Sequence, residues 1–175
     1  ESQELITEAQ EDQPNYVVKI EEVYIGTTNV NIVYTPYCSK GDLQKHLAGN
    51  AAALTLQQIY GIMFQLLDGF EQVHEQSKLM HRDVKPQNIL INHLDKTIVI
   101  CDFGQARVNP DHLNDEEVDT GAKYTLDIGS RWYKAPELFF GSRKYNNSMD
   151  IWSLGCILTE LLLNCLSQKN LGPLF

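Results

Sequence analysis

The chain has 175 residues, and 43% of them are hydrophobic, which is enough apolar material to build a folded core. It carries 23 acidic and 14 basic residues, a formal net charge of −9, which argues against a general nucleic-acid or anionic-membrane binder. The four cysteines form no CxxC pair and show no metal-ligand spacing. We therefore expect neither a disulfide framework nor a cysteine metal site, and we expect a reducing compartment.

The first part of the chain predicts two strands and a long helix. Residues 17–25 and 30–35 are rich in Val, Ile and Tyr, and a GTTN turn separates them. Residues 54–76 repeat apolar side chains every three or four positions, which predicts an amphipathic helix. Thr55 is placed to be the N-cap of that helix.

The second part predicts a hairpin and a second helix. Two short apolar runs, NILI and TIVI, flank a polar turn within residues 88–101. Residues 146–163 are apolar nearly all round, which indicates a deeply buried helix. The apolar run within this helix is interrupted by Glu160 and falls short of the roughly 20 residues that a bilayer span needs. The order of elements predicts an α+β chain with a helical second half.

The segment between the hairpin and the last helix shows no strong periodicity. It contains five carboxylates between Asp111 and Asp119. A loop of this length in a compact domain is usually functional or disordered, and blocks of like charge usually lie in solvent. The simplest interpretation of the acidic stretch is a solvated insertion.

Three short motifs occur in order along the second half of the chain. HRDVKPQN spans residues 81–88, DFG spans 102–104 directly after the second apolar run, and APE spans 135–137. Each triplet could occur by chance, but the three together are highly specific. The chain resembles the eukaryotic protein kinases over nearly its whole length. The resemblance implies an incomplete, α+β protein-kinase fold, with residues 1–37 from the N-lobe and 38–175 from the C-lobe.

The resemblance implies phosphoryl transfer from ATP with Mg²⁺. This chemistry needs positioned metal ions, an oriented hydroxyl and stabilising cations more than covalent help. Asp83 matches the aspartate that accepts the substrate hydroxyl proton, and Lys85 would contact the transferred phosphate, as in Ser/Thr kinases. Asn88 and Asp102 would supply oxygen ligands to Mg²⁺. Taken singly, Asp83 could be an ordinary loop carboxylate, Asn88 a turn residue and Asp102 a strand-end cap.

The segment VYTPYCSKGDL resembles the hinge that binds adenine in kinases. Thr35 falls at the gatekeeper position, and the Pro36 carbonyl and the backbone of Cys38 would bind the purine. Asp42 matches a position that often contacts the ribose. Leu90 would form the floor beneath the adenine, which is compatible with an ordinary place in a strand core.

Four further residues match structural positions of the kinase family. His81 and Phe103 would stack as part of an internal spine, and Asp150 would hold the catalytic loop through backbone amides. Glu137 of the APE motif would lack the arginine that pairs with it in complete kinases. We expect His74, on the long helix, to serve in packing.

SRWYKAPEL and KPQNIL resemble the CMGC group, which contains the cyclin-dependent and MAP kinases, and Arg131 is typical of proline-directed members. Thr125 aligns with the activating threonine of cyclin-dependent kinases, and Arg82 and Arg107 could bind its phosphate. An unmodified loop residue, as in relatives of the cyclin-dependent-kinase-activating type, is the alternative for Thr125. Glu4 is the best match for the glutamate of the regulatory αC helix, with a solvated acidic helix as the alternative.

The resemblance therefore implies a Ser/Thr kinase that phosphorylates protein substrates, with proline-directed specificity. It also implies a possible cyclin-like regulatory subunit, a location in the cytoplasm or nucleus, and no nucleic-acid or membrane partner. The Gly-rich loop and strand lysine of the kinases are missing from the sequence, so we expect the chain alone to be inactive and poorly stable. The alternative is a truncated kinase fold that acts as a non-catalytic interaction or scaffold module.

Overall fold

The computed structural model describes residues 15–48, 53–92, 97–112 and 128–167. The predicted strands form an antiparallel hairpin of β1 (Lys19–Ile25) and β2 (Val30–Thr35). The turn between them is closed by a hydrogen bond from the Gly26 amide to the Asn29 carbonyl (2.8 Å). Most side chains of this hairpin are exposed, including the large apolar residues Val23, Tyr24, Ile25, Val30, Ile32, Val33 and Tyr34.

The residues just before β1 connect this hairpin to the main core. Tyr16, Val17 and Val18 are buried. The Val18 amide donates to the Ile100 carbonyl (2.9 Å), and the Ile100 amide donates to the Tyr16 carbonyl (2.7 Å). Residues 16–18, which the sequence assigns to the N-lobe, therefore pack into the same core as residues assigned to the C-lobe.

Two helices follow, α1 (Leu43–Ala48) and α2 (Leu56–Glu71). The prediction of Thr55 as N-cap of α2 is confirmed, because its side chain accepts from the Gln58 amide (3.2 Å) while Gln58 Oε1 accepts from the Thr55 amide (2.8 Å). A π-helical turn at Gln72–Gln76 ends the long helix. The buried face of α2 comprises Ile59, Leu66, Gly69 and Phe70.

Four short strands form the region around the HRDVKPQN and DFG motifs. They are β3 (Leu79–Met80), β4 (Ile89–Ile91), β5 (Ile98–Ile100) and β6 (Arg107–Val108). Strands β4 and β5 pair antiparallel, which confirms the hairpin predicted within residues 88–101, and β3 pairs with β6. The HRDVKPQN motif begins directly after β3, and the DFG motif begins two positions after the end of β5.

The last two helices are α3 (Pro136–Phe139) and α4 (Ser148–Ser167). The expectation of a deeply buried α4 is wrong in part, because Ile151, Trp152 and Leu166 are exposed. Helix α4 packs along α2 on one side, and its apolar side chains on the other side reach solvent. The main core combines residues of α2, the β4–β5 hairpin and α4, such as Leu66, Phe70, Ile98, Ile100, Leu154, Ile157 and Leu161.

The apolar run in α4 is longer than the sequence analysis predicts. A stretch of 19 residues, Ser148–Leu166, is long and apolar enough to cross a membrane by length and composition. Half of this stretch is buried inside the fold. Core helices of globular proteins have the same length and composition, so these two properties do not distinguish a span from a core helix.

Candidate active site

Asp83 lies at the centre of the candidate site. It is 5% exposed and sits in the loop between β3 and β4. Lys85 Nζ donates to Asp83 Oδ2 (2.6 Å), and Asn88 Nδ2 donates to the Asp83 carbonyl (2.9 Å). These bonds bring together the three residues to which the kinase resemblance assigns catalysis. The ammonium of Lys85 compensates the charge of a carboxylate that is nearly removed from water.

Ser130 is a site residue that the sequence analysis did not single out. Its hydroxyl donates to Asp83 Oδ1 (3.0 Å) across 47 positions of the chain. Gly129, beside it, has a φ of +72°, and a Cβ there would lie 3.2 Å from the Arg82 carbonyl, so the segment approaches the catalytic loop closely. Ser130 lies directly before the RWYKAPE residues, which the sequence analysis did quote. However, the spacing of residues along the chain does not indicate which hydroxyl group contacts Asp83.

Asp150, in the first turn of α4, supports the loop that contains Asp83. Its carboxylate accepts from the backbone amides of His81 (2.8 Å) and Arg82 (2.9 Å). His74 Nε2 lies 2.8 Å from Asp150 Oδ2, and the His74 ring also packs against Phe70. The structure therefore places Asp150 against the loop amides, as the resemblance implied. His74 is more than a packing residue, because it is a polar partner of the same buried carboxylate.

His81 and Phe103 lie together in the interior, below the candidate site. Their ring centroids are 4.7 Å apart, and the Phe70 ring lies 6.0 Å from His81. His81 Nε2 forms a hydrogen bond with the Cys101 carbonyl (2.9 Å). His81 thus links the catalytic loop to the residues that immediately precede the DFG motif.

The DFG aspartate lies close to the catalytic loop. The Cys101 amide donates to the Asn88 carbonyl (3.0 Å). Because Asp102 is the next residue, this hydrogen bond holds the start of the DFG motif next to Asn88. Asp102 has a φ of +65°, unusual for a residue with a side chain, and its Oδ1 accepts weakly from the Gly104 amide (3.4 Å). Burial, with a smaller effect of the Asp102 charge, raises the pKa of the Cys101 thiol to about 12.

A cavity of about 780 Å³ opens beside these residues. Pro36, Cys38, Leu90 and Asp102, four residues that the sequence predicts for nucleotide or metal binding, all line it. The remaining lining residues are mainly apolar: Val18, Ile20, Ile32, Tyr34, Tyr37, Cys101, Phe103 and Gly104. The hinge segment and the DFG motif therefore face one shared space.

Three residues predicted for nucleotide or metal binding, Thr35, Asp42 and Asn88, do not line this cavity. Thr35 Oγ1 donates to Glu21 Oε1 (2.8 Å) on the neighbouring strand β1. Asp42 caps α1, because its Oδ1 accepts from the Lys45 amide (2.8 Å) while its Oδ2 pairs with Lys45 Nζ (3.1 Å). Asn88 Nδ2 donates to the Asp83 carbonyl, so hydrogen bonds account for all three side chains in this structure.

A buried pair connects the segment that contains Ser130 to α4. Tyr133 Oη donates to Glu160 Oε2 (2.8 Å), and Ser153 Oγ donates to the Tyr133 carbonyl (2.7 Å). Burial raises the pKa of the Glu160 carboxyl above its ordinary value, an effect that the Tyr133 bond opposes. Burial and the bond to Glu160 also raise the pKa of Tyr133. The sequence analysis treated Glu160 only as an interruption of an apolar run.

The residues predicted for regulation are only partly described. Glu4 and Thr125 lie outside the described residues. Arg82 is buried, and its guanidinium lies 5.8 Å from the centroid of the Tyr145 ring. Arg107 is exposed, and its Nη1 donates to the Ala106 carbonyl (2.7 Å). Glu137, whose carboxylate was expected to lack its arginine partner, is a half-buried residue.

Comparison with known proteins agrees with this geometry. The family model described as the protein kinase domain matches residues 3–170, which is nearly the whole chain. The chain therefore belongs to the protein kinase domain family. This result confirms the fold class that the three motifs predict.

Individual relatives place the similarity among cyclin-dependent-like Ser/Thr kinases. Cyclin-dependent kinase 20 of Danio rerio is 40% identical over 149 residues, which are 85% of this chain and 40% of that protein. Cyclin-dependent kinase G1 of Arabidopsis thaliana is 35% identical over 158 residues, 90% of this chain and 24% of that protein. The serine/threonine-protein kinase NLK2 of Xenopus laevis is 36% identical over 150 residues, 86% of this chain and 29% of that protein.

A solved structure is similar in fold as well. In the yeast RNA Pol II CTD kinase CTDK-1 complex, one chain matches with a TM-score of 0.71 and 32% identity, over 89% of this chain and 47% of that chain. The chain thus spans less than half the length of each of these relatives. The resemblance to cyclin-dependent-like Ser/Thr kinases is confirmed.

Proposed function

We propose that the chain forms part of an ATP-dependent Ser/Thr protein kinase in which Asp83 orients the substrate hydroxyl and accepts its proton. The observation that carries the proposal is the environment of the Asp83 carboxylate. It is buried, it accepts from Lys85 on one oxygen and from Ser130 on the other, and it shares its loop with Asn88. A carboxylate held at both oxygens is positioned for proton transfer with little reorganisation.

The cavity between the hinge segment and the DFG motif supports a nucleotide. The Pro36–Cys38 segment and Leu90 supply the apolar and backbone surface for a purine, and Asp102 lines the same cavity. In this arrangement the phosphates would extend from the hinge toward Asp102 and Asp83. Lys85, bonded to Asp83, would contribute positive charge to the transferred group.

The oxygen ligands suit Mg²⁺ bound together with the nucleotide. Asn88 uses its amide nitrogen as the donor to Asp83, and its amide oxygen and the Asp102 carboxylate are hard ligands. Within the described residues, no cluster of three or more His, Cys, Asp or Glu could hold a metal ion by itself. The ion would complete its coordination with phosphate oxygens and water, and when bound it would neutralise charge on the phosphates.

We further propose that the phosphorylated residue is a Ser or Thr followed by Pro, that a cyclin-like subunit regulates the enzyme, and that it acts in the cytoplasm or nucleus. Arg131 in SRWYKAPEL supports the first point, and the likeness to a chain of the CTDK-1 kinase complex supports the second. We also propose that the chain alone does not transfer phosphate. The exposed apolar side chains of the β1–β2 hairpin support this, because that surface resembles half of an interface.

The test uses the chain and the longest protein that its gene encodes, each with Mg²⁺-ATP. Two peptides that differ only in Ser-Pro against Ser-Ala serve as substrates. We expect the longer protein to phosphorylate the Ser-Pro peptide, and we expect Asp83→Asn to lower kcat at least ~100-fold while ATP binding persists. Glu75→Gln, a change at an exposed carboxylate, is the matched control and should have no effect.

Each part of the proposal can fail separately. ATP binding without any phosphotransfer by the longer protein would favour the non-catalytic interaction module. Equal rates on the two peptides would remove the proline preference and leave the kinase proposal in place. Phosphotransfer by the chain alone, lost in Asp83→Asn, would contradict the proposed inactivity of the chain.

A further inference from the structure

A basic segment follows the loop that contains Ser130. Residues 131–144 hold four of the 14 lysines and arginines, with Glu137 as the single acidic residue, in a chain of net charge −9. Helix α3 lies within this segment, and its last residue, Phe139, is 59% exposed, while the following residue, Phe140, is 88% exposed. Lys134 Nζ lies 5.8 Å from the centroid of the Phe139 ring. Positive charge and exposed aromatic surface therefore coincide.

The turn after α3 contains two more basic residues, Arg143 and Lys144, and both are exposed. The Phe140 amide donates to the Pro136 carbonyl (3.1 Å), and the Ser142 amide donates to the Glu137 carbonyl (2.9 Å). Ser142 Oγ then donates to the Lys144 carbonyl (2.8 Å). These bonds order a short exposed turn. We call Lys134, Phe139, Phe140, Arg143 and Lys144 the basic–aromatic patch.

We propose that the basic–aromatic patch is a docking site for an acidic peptide segment of a partner protein, anchored by a large apolar side chain. Carboxylates of the partner would pair with Lys134, Arg143 and Lys144, and the anchor would cover Phe139 and Phe140. Aromatic side chains that pack an anchor give most of the affinity at such interfaces, and the surrounding charges give specificity and a faster association.

A hydrogen bond to Asp111 orders the residues that follow the patch along the chain. Asn146 Nδ2 donates to Asp111 Oδ2 (2.8 Å), two positions after Lys144. The patch follows the Ser130–Tyr133 segment along the chain, and Ser130 of that segment contacts Asp83. The proposal concerns binding and does not depend on phosphotransfer.

The test is a direct binding measurement with the purified chain. The probe is a fluorescein-labelled peptide, Glu-Asp-Glu-Phe-Leu-Asp-Glu, followed by fluorescence anisotropy at low ionic strength. We expect Phe140→Ser to weaken binding about tenfold or more, because the exposed ring is the proposed anchor surface. Because Phe140 is almost fully exposed, the variant should fold as the parent chain does. Tyr60→Ser, at an aromatic residue that is 73% exposed on α2, is the matched control and should bind normally.

Charge reversal tests the proposed pairing of the partner's carboxylates with the basic residues of the patch. The triple variant Lys134→Glu, Arg143→Glu, Lys144→Glu should lose about tenfold in affinity, and the parent's affinity should fall as salt rises. A second triple variant, with glutamate at Lys19, Lys40 and Lys78, changes the net charge equally at exposed sites elsewhere. It should bind the peptide as the parent does.

Three results would overturn the proposal. Peptide binding that is unaffected by Phe140→Ser and by the first triple variant would place the peptide elsewhere. An equal loss in both triple variants would show attraction by net charge alone. Concentration-dependent dimerisation that Phe140→Ser abolishes, without peptide binding, would show that the patch is an interface between copies of this chain.

Discussion

The Asp150 carboxylate and the backbone amide of Arg82 form a buried hydrogen bond of 2.9 Å between residues 68 positions apart. Arg82 has a φ of +72°, in the left-handed region that costs a residue with a side chain about 1–2 kcal/mol. The bond from α4, together with the one to the His81 amide, holds the loop in this conformation. The position of Asp83, the next residue, therefore depends on a helix far along the chain.

Removing the Asp150 carboxylate should destabilise the fold. Asp150→Ala leaves two buried loop amides without their acceptor, and we expect the free energy of unfolding to fall by about 3 kcal/mol. Urea denaturation followed by circular dichroism measures this change. Asp150→Asn keeps one acceptor oxygen and should lose less. Equal losses in the two variants would show that the hydrogen bonds to the amides are not the source of the stability.

Two glycines of α2 should respond to alanine in opposite directions. A Cβ on Gly69 would lie 2.7 Å from Ile100 Cδ1 and 3.1 Å from Tyr16 Cβ, so we expect Gly69→Ala to cost about 1–3 kcal/mol through overpacking. A Cβ on Gly61 would meet nothing within 4 Å. Gly61→Ala should therefore stabilise the chain by about 1 kcal/mol, because alanine favours the helix. The midpoints of urea unfolding of the two variants are compared with that of the parent chain. Midpoints that shift in the same direction in both variants would contradict the prediction.

The hydroxyl of Ser130 should matter for turnover if Asp83 is the catalytic carboxylate. Ser130→Ala removes the donor to Asp83 Oδ1, and we expect kcat of the longest encoded protein to fall about tenfold through poorer positioning of the carboxylate. Ser130→Thr retains the hydroxyl and should restore most of the rate. Comparable loss in the Ala and Thr variants would indicate a role for the shape of the segment and not for the hydrogen bond.

Glu160 should make stability depend on pH. Burial raises its pKa in the folded chain, so the folded state binds the proton more tightly than the unfolded state does. The stability from this group is complete below the ordinary carboxyl pKa and is lost as pH rises through the raised value. Glu160→Gln keeps an acceptor for Tyr133 Oη and removes the titration. We expect its stability relative to the parent to increase as the pH rises above the ordinary carboxyl range, roughly pH 4.

Unfolding free energies of the two chains across that pH range test this expectation. Tyr133→Phe, which removes the hydroxyl and leaves Glu160 in place, is the companion variant. It should steepen the loss of stability with rising pH, because the bond from Tyr133 opposes the increase in the pKa of Glu160. Parallel pH curves for the parent chain and Glu160→Gln would show that Glu160 does not contribute.

Cys101 should resist alkylation in the folded chain. Its pKa of about 12, against an ordinary value of 9.0, lowers the thiolate fraction at pH 8 about 1,000-fold. Iodoacetamide treatment followed by mass spectrometry of the Cys101 peptide should therefore show very slow labelling, and labelling in concentrated urea should be fast. Rapid labelling of Cys101 under native conditions would contradict the raised pKa of this thiol.

The sequence by itself was sufficient for local structure and for part of the site. The N-cap at Thr55, the β4–β5 hairpin and the amphipathic helix α2 rest on interactions between residues a few positions apart, and they appear as predicted. Asp83 and Asn88 lie within one eight-residue motif, so their proximity follows from a single loop.

Only the tertiary structure decided which distant groups meet. It brought Ser130 to Asp83 and His74 to Asp150, and it paired Tyr133 with Glu160 in the interior. It also engaged Asp42 in capping a helix instead of lining the cavity. These contacts join segments tens of residues apart or depend on the competition between neighbouring hydrogen-bond partners. Periodicity and spacing in the sequence show neither the distant contacts nor the outcome of this competition. Both are decided by how helices and strands pack once the chain has folded.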